Sequence, residues 1–324
     1  MFSLYNRQIL KNGKPFIIKG INILGLLYDY PKDYAATGEA DLIANIWKFN
    51  AVRVPFKLRK IGQPYKGFSE FDKIVADFTS RGLVVIFEAH DPNGKDSGDY
   101  YSATSVPSLA ELTEFYRQLA PRYKDNPLVW FNPQNEPGGS PLDKANYLKT
   151  HRTIITLLRT ELGLTNMIVI NGSSWGQDAG SWDGSLVKSE NSAILTLGSD
   201  IRYFNGKMHD NVIFSIHCYD QFAYGETKLP DFISRILNKG FYLLIGEYGV
   251  ELNGYNVTTA MDFTFKACRQ YGIGRMAWCW DGNGKNALVA ADPGYGYLIN
   301  RKDGAKPTNL SYMGSKVWDD NHLT

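Results

Sequence analysis

Two rhythms of apolar residues alternate along this chain. Short, nearly unbroken apolar runs at 16–23, 51–56, 83–89, 128–132, 167–171, 212–217, 242–247 and 274–280 are rich in β-branched and aromatic residues. Such runs predict strands covered on both faces, as in a parallel sheet wrapped by helices. Between them the apolar positions return every three or four residues, which predicts helices with one buried stripe. Leu42, Ile43, Ile46, Trp47 and Phe49 form one stripe, and Phe71, Ile74, Val75 and Phe78 another. Further helices are expected over 109–123, 143–162, 229–238, 257–270 and 310–318, while the slot at 188–197 is weakly patterned. Ahead of the first run, residues 4–16 read as a hairpin about Asn12-Gly13, a pair that tolerates positive φ in a tight turn.

Eight strand and helix alternations predict a closed (β/α)8 TIM barrel with a short N-terminal β-hairpin. An open doubly wound sheet is the alternative, but no glycine-rich dinucleotide fingerprint follows the first strand. No linker, low-complexity block or run of like charge divides residues 1–324, so a single catalytic domain is expected. A net charge of +2, with no basic cluster interleaved with aromatics, argues against a nucleic acid partner. No apolar run approaches the length of a membrane span, and the chain is expected to be monomeric. Cys218, Cys268 and Cys279 lack CxxC spacing and are expected to be buried thiols. Met1-Phe2-Ser3 runs directly into strand-like sequence; location is left open, an extracellular one being compatible with a leader removed earlier.

In such a barrel the strands' C-terminal ends carry the chemistry, and the polar residues gather there. Arg53 closes the second predicted strand, His90 the third, Asn135 and Glu136 the fourth, His217 and Tyr219 the sixth, Glu247 the seventh, and Trp278 and Trp280 the eighth. Glu136 and Glu247 each follow an apolar run, a costly place for a carboxylate unless the exit opens on a polar cleft. Two carboxyl groups facing each other over a cleft can cleave a glycosidic bond, one protonating the leaving oxygen while the other attacks or activates water. Arg53 can hold a nucleophile ionised, and Asn135 can donate to a sugar hydroxyl. His90, His217 and Tyr219 can bind hydroxyls, and indoles can stack on pyranose rings. No HExxH or similar ligand spacing accompanies His217 and Cys218, so no metal or cofactor is expected.

Arg53, Glu88-Ala-His90, Asn135-Glu136-Pro137, Ser215-Ile-His217-Cys-Tyr219, Ile245-Gly-Glu247-Tyr-Gly249 and Ala277-Trp278-Cys-Trp280 follow one another in the order of glycoside hydrolase family 5, which the chain resembles from Phe16 to about Gly284. The resemblance implies a retaining endo-β-1,4-glycanase acting on a β-linked polysaccharide, with Glu136 as acid/base and Glu247 as nucleophile. It places Arg53, His90, Asn135, His217, Tyr219 and a strand-eight tryptophan around the sugar at the cleavage point. Alignment favours Trp278 as that tryptophan, and nearness to the mouth favours Trp280. Trp175 and Trp182 are candidate platforms for sugars beyond the cleavage point. Asn135-Glu136-Pro137 is similar to many cellulases of the family; Glu88-Ala-His90-Asp91, Ser174-Trp175-Gly176-Gln177 and Trp278-Cys-Trp280-Asp-Gly-Asn283 look more like its bacterial mannanases. An endoglucanase is the expected activity, on the frequency of cellulases in the family, with a mannanase as the alternative. A carbohydrate-binding barrel without catalysis is the rival of another class.

Overall fold

A computed structural model describes residues 1–27, 33–60, 63–64, 67–91, 107–138, 143–280, 284–288 and 305–323. Eight parallel strands close into one barrel, in sequence order around the ring. They are β1 (Lys19–Asn22), β2 (Ala51–Phe56), β3 (Val84–Ala89), β4 (Val129–Asn132), β5 (Ile168–Asn171), β6 (Val212–Cys218), β7 (Leu243–Tyr248) and β8 (Gly274–Ala277). Around them lie α1 (Glu39–Asp41, continued by a wider-wound turn at Leu42–Ile46), α2 (Ser69–Thr79), α3 (Leu109–Leu119) and α4 (Lys144–Thr156). The layer is completed by α5 (Ala193–Arg202), α6 (Lys228–Asn238), α7 (Thr258–Tyr271) and α8 (Tyr312–His322). The predicted (β/α)8 barrel is therefore present.

Two local expectations change. The N-terminal hairpin is a three-stranded antiparallel sheet, Phe2–Tyr5, Gln8–Lys11 and Lys14–Pro15. Its second turn is the predicted Asn12-Gly13, while the first, at Asn6-Arg7, has positive φ at both residues without a glycine and so escaped the turn rule. Phe2 of this sheet meets Trp130 edge-on at 5.1 Å, closing the barrel floor. The fifth helix begins five residues later than its slot, because Ser192, whose side chain accepts from the Leu195 N–H, supplies the cap. Cys218, Cys268 and Cys279 are buried, as expected. Among the described residues no helix is long and apolar enough to cross a membrane.

Strand parity sets the inside of the barrel. Ala51, Ile86, Trp130, Val169, Ile213 and Met276 belong to a lower apolar cluster with Phe2. Two residues further along the same faces stand Arg53, Glu88, Asn132, Asn171 and Ser215, all buried. One step up, the interior thus turns from hydrocarbon to hydrogen-bonding groups. Glu247 would point outward by simple alternation from Leu244. The register between β6 and β7 instead shifts after Ile216 and Ile245, setting Glu247 opposite His217. A bulge of this kind re-aims a side chain at a barrel rim.

Candidate active site

Arg53 is the hub of the polar layer. Its guanidinium is 1% exposed and donates through Nη1 to Glu247 Oε1 at 2.6 Å and Asn22 Oδ1 at 2.9 Å. Nη2 donates to Asn135 Oδ1 at 2.7 Å and lies 3.4 Å from Glu88 Oε2, while Nε donates to Asn132 Oδ1 at 3.3 Å. Burial works against the charge of Arg53, but the carboxylates of Glu88 and Glu247 more than offset this and hold its pKa above the ordinary value. A planar cation with five donors suits such a cradle; a lysine could not reach the same set of acceptors.

Glu136 and Glu247 stand at the exits of β4 and β7, three strands apart around the ring, and face one cleft. The ligand atoms of Glu136, His217 and Glu247 all lie within 4.8 Å of one another. His217 Nδ1 is 2.8 Å from Glu136 Oε1 and 3.5 Å from Glu247 Oε2, so the imidazole bridges the two carboxyl groups. Burial and the positive charge of Arg53 push the His217 pKa far below its usual value, leaving the ring neutral. The two glutamates differ in surroundings. Glu247 receives Arg53 on one oxygen and the Tyr219 hydroxyl, at 3.0 Å, on the other. Burial raises the Glu247 pKa, and Arg53 pulls it back toward the ionised form. Among the described residues no such cation contacts Glu136; burial and the charge of Glu247 raise its pKa well above the ordinary carboxyl value. Of the pair, Glu136 is the one that keeps a proton.

That arrangement costs stability. The folded protein holds the Glu136 proton more tightly than the unfolded chain does, so this contribution favours folding fully below pH 4.5, the ordinary carboxyl value, and is lost as pH rises through the folded pKa. Glu136→Gln removes the titration. The variant is expected to melt higher than the parent by a margin that grows from about pH 5 to pH 8, measurable by calorimetry, and a margin constant with pH would contradict it.

The remaining sequence candidates fall into place unequally. His90 Nδ1 lies 3.0 Å from Glu88 Oε2, and its ring is parallel to that of Trp278 at 5.8 Å. Trp278 follows the end of β8, joined to Cys279 by a cis peptide bond. Trp280, expected as the alternative sugar-stacking indole, is 2% exposed, packs edge-on against Trp47 and donates through Nε1 to Glu39. β8 ends at Ala277, and the alternation that put both indoles on one face ends with it. Trp175 is 40% exposed, in the loop after β5, and its N–H donates to the carbonyl of Gly138, two residues past Glu136. Behind it Gly176, at φ 71°, touches the pair: a Cβ there would stand 2.8 Å from His217 Nδ1 and 3.1 Å from Glu136 Cγ. Asp281, Gly282 and Asn283, the tail of one substrate-indicating string, lie outside the described residues.

The sequence reading gave no role to Asn22 or Asn132, which orient Arg53, and none to Glu88, which contacts both Arg53 and His90. A signal existed: each is a polar residue at the inward end of a buried strand. Glu136, His217 and Glu247 also form the one group among the described residues with metal-ligand geometry, a proximity that sequence spacing did not reveal. Its chemistry suits a proton better than an ion, since the Arg53 charge already neutralises Glu247 at 2.6 Å and would repel a second cation.

Two carboxyl groups with oxygens within 4.8 Å of each other and unequal surroundings can divide the cleavage of a glycosidic bond, one attacking a sugar carbon while the other protonates the departing oxygen. A family model described as Cellulase (glycosyl hydrolase family 5) matches residues 9–284. The chain is 26% identical over 284 residues to the mannan endo-1,4-beta-mannosidase of Cellvibrio japonicus, covering 87% of this chain and 59% of that protein. It therefore spans little more than half the length of that relative. It is also 26% identical over 151 residues to endoglucanase EG-II of Hypocrea jecorina, a match of 47% of this chain and 33% of the other. The beta-mannanase of Thermomonospora fusca, solved with mannohexaose, superposes with a TM-score of 0.74 at 21% identity over 98% of this chain and 93% of its own. The chain belongs to glycosyl hydrolase family 5.

Proposed function

We propose that this protein is a retaining endo-β-1,4-glycanase whose substrate is a β-1,4-mannan, with Glu136 as acid/base and Glu247 as nucleophile. The observation that carries the reading is the unequal treatment of two carboxyl groups in one cleft: Arg53 and Tyr219 grip Glu247 alone. The ionised group attacks the anomeric carbon while Glu136 gives its proton to the leaving oxygen. A water then enters on the Glu136 side, loses its proton to that carboxylate and releases the sugar with its configuration retained. Asn135, held by Arg53, and His217 are in position to bind hydroxyls of the sugar being cleaved, with the Trp278 face beside His90. Trp175, on the Glu136 side, is a platform for the leaving sugar.

Mannan is preferred here to the glucan expected from family frequency. The relative named a mannosidase aligns over 87% of the chain, whereas the endoglucanase aligns over 47%. The endoglucanase reading stays as the second, because the matching family model is described as Cellulase. Reducing-end release from galactomannan, glucomannan, lichenan and carboxymethylcellulose separates them. The expected outcome is a kcat/KM on mannan at least about tenfold above that on carboxymethylcellulose, well within the discrimination that a hydrogen-bonded hydroxyl can supply. The reverse ratio would restore the endoglucanase, and no release from any of the four would favour a binding protein.

A further inference from the structure

Two indoles stand open beside the cleft, Trp175 at 40% and Trp182 at 47% exposure, with ring centroids 6.2 Å apart. So exposed a side chain ordinarily samples several rotamers unless a partner fixes it. Trp182 has that partner: its Nε1 donates to Asp220 Oδ2 at 2.9 Å. The other oxygen, Oδ1, accepts from Gln177 Nε2 at 2.7 Å. Gln177 in turn accepts through Oε1 from the N–H groups of Tyr219 and Gln221, at 3.2 and 3.0 Å. Asp220 thus ties the loop after β5, which carries both indoles, to the turn after β6, whose Tyr219 donates to Glu247.

We propose that Asp220 is a positioning residue for the leaving-group side of the cleft: it locks Trp182 beside Trp175 as a two-indole platform for the sugars released first, and sets a third negative charge on the flank of Glu136. The inference rests on Glu136 as the proton donor. Glu136 is faced by Glu247 on β7, Arg53 on β2, Glu88 on β3, His217 on β6 and Asp220 on the turn beyond it. Arg53 weakens the hold of Glu136 on its proton, and Asp220 strengthens it together with Glu247 and Glu88. Binding of the leaving chain and the protonation that expels it therefore share one residue.

Trp182→Ala, Asp220→Asn and Asp220→Glu in the full chain separate the two roles, using oligosaccharides of increasing length from whichever glycan the polysaccharide assay selects. Trp182→Ala is expected to raise KM about threefold to tenfold for oligosaccharides long enough to pass the cleavage point, with the alkaline limb of kcat/KM unmoved. Asp220→Asn should raise KM similarly and also move that limb to lower pH, and Asp220→Glu should restore the limb. A folded Asp220→Asn variant, verified by circular dichroism, whose alkaline limb matches the parent would overturn the proposal, as would an unchanged KM in Trp182→Ala. Full polysaccharide activity in Glu136→Ala would instead sink the underlying reading of Glu136, which keeps the two failures distinct.

Discussion

Glu247→Ala is expected to lose polysaccharide hydrolysis by a factor on the order of 10⁴ or more, and to regain turnover of an activated aryl β-glycoside when azide is added. On the proposed assignment the side chain removed is the one that forms the covalent bond, so no residual pathway through an intermediate would exist. The space vacated beside Arg53 and Tyr219 admits a small anion, drawn by the same guanidinium that held the carboxylate at 2.6 Å. Azide then attacks directly from the face Glu247 occupied, and the product is the α-glycosyl azide. Glu136→Ala behaves differently. Its loss on polysaccharide is expected to be about 10² to 10⁴, the range for a general acid, and much smaller on an aryl glycoside whose leaving group departs without a proton. Azide here intercepts the glycosyl-enzyme on Glu247 and gives the β-glycosyl azide. Chromatography and anomeric coupling constants distinguish the products. Exchanged anomers would reverse the two roles, and no azide product from either variant would remove the double-displacement scheme.

How much of this site could be seen in the sequence follows from which part of its geometry is local. Placement at a strand exit is local: Asn135, Glu136, His217 and Tyr219 each follow or end an apolar run, and the closed barrel brings such ends together, whereas Arg53, expected to close its strand, is the third of six residues in β2 and reaches the same layer because its position faces inward. Orientation within the exit is not. The inward aim of Glu247 depends on a shift in register between β6 and β7, and nothing in Ile245-Gly246-Glu247 announces a bulge except the glycine. That glycine is required, since a Cβ on Gly246 would stand 2.4 Å from Ser215 Oγ. Trp278 and Trp280 were inseparable by parity because the end of β8 at Ala277 is set by tertiary pairing with β1 and β7 rather than by local composition. The partners of Arg53 were hidden for a related reason: Asn22 and Asn132 sit on strands otherwise read as plain hydrocarbon, and only closure of the ring shows them converging on one guanidinium.

Arg53 should accordingly be the substitution most damaging to fold and catalysis together. Arg53→Met keeps much of the hydrophobic stem but leaves Glu247 and Glu88 buried, 4% and 0% exposed, without their cation. Breaking one side of a buried ion pair costs about 3 to 5 kcal/mol, and more than one carboxylate is left behind here. The cost depends on pH in a definite sense. Without Arg53, burial of Glu247 is no longer opposed, so its pKa, already raised, climbs further. A raised folded pKa favours folding below the ordinary value of 4.5, and that advantage is lost as pH rises through the folded pKa. The variant should therefore be nearest to the parent in stability at about pH 4 and furthest from it at pH 8, as urea unfolding at the two pH values would reveal. Activity should move the same way, with the acid limb of kcat/KM displaced upward because the nucleophile now ionises only in more alkaline solution. Arg53→Lys retains the charge without the fork, and should recover part of the stability at pH 8 while leaving kcat reduced about 10²-fold, since one ammonium cannot hold Glu247 and Asn135 together. Equal stability loss at both pH values in Arg53→Met would mean that its stem, rather than its charge, holds the barrel mouth in shape.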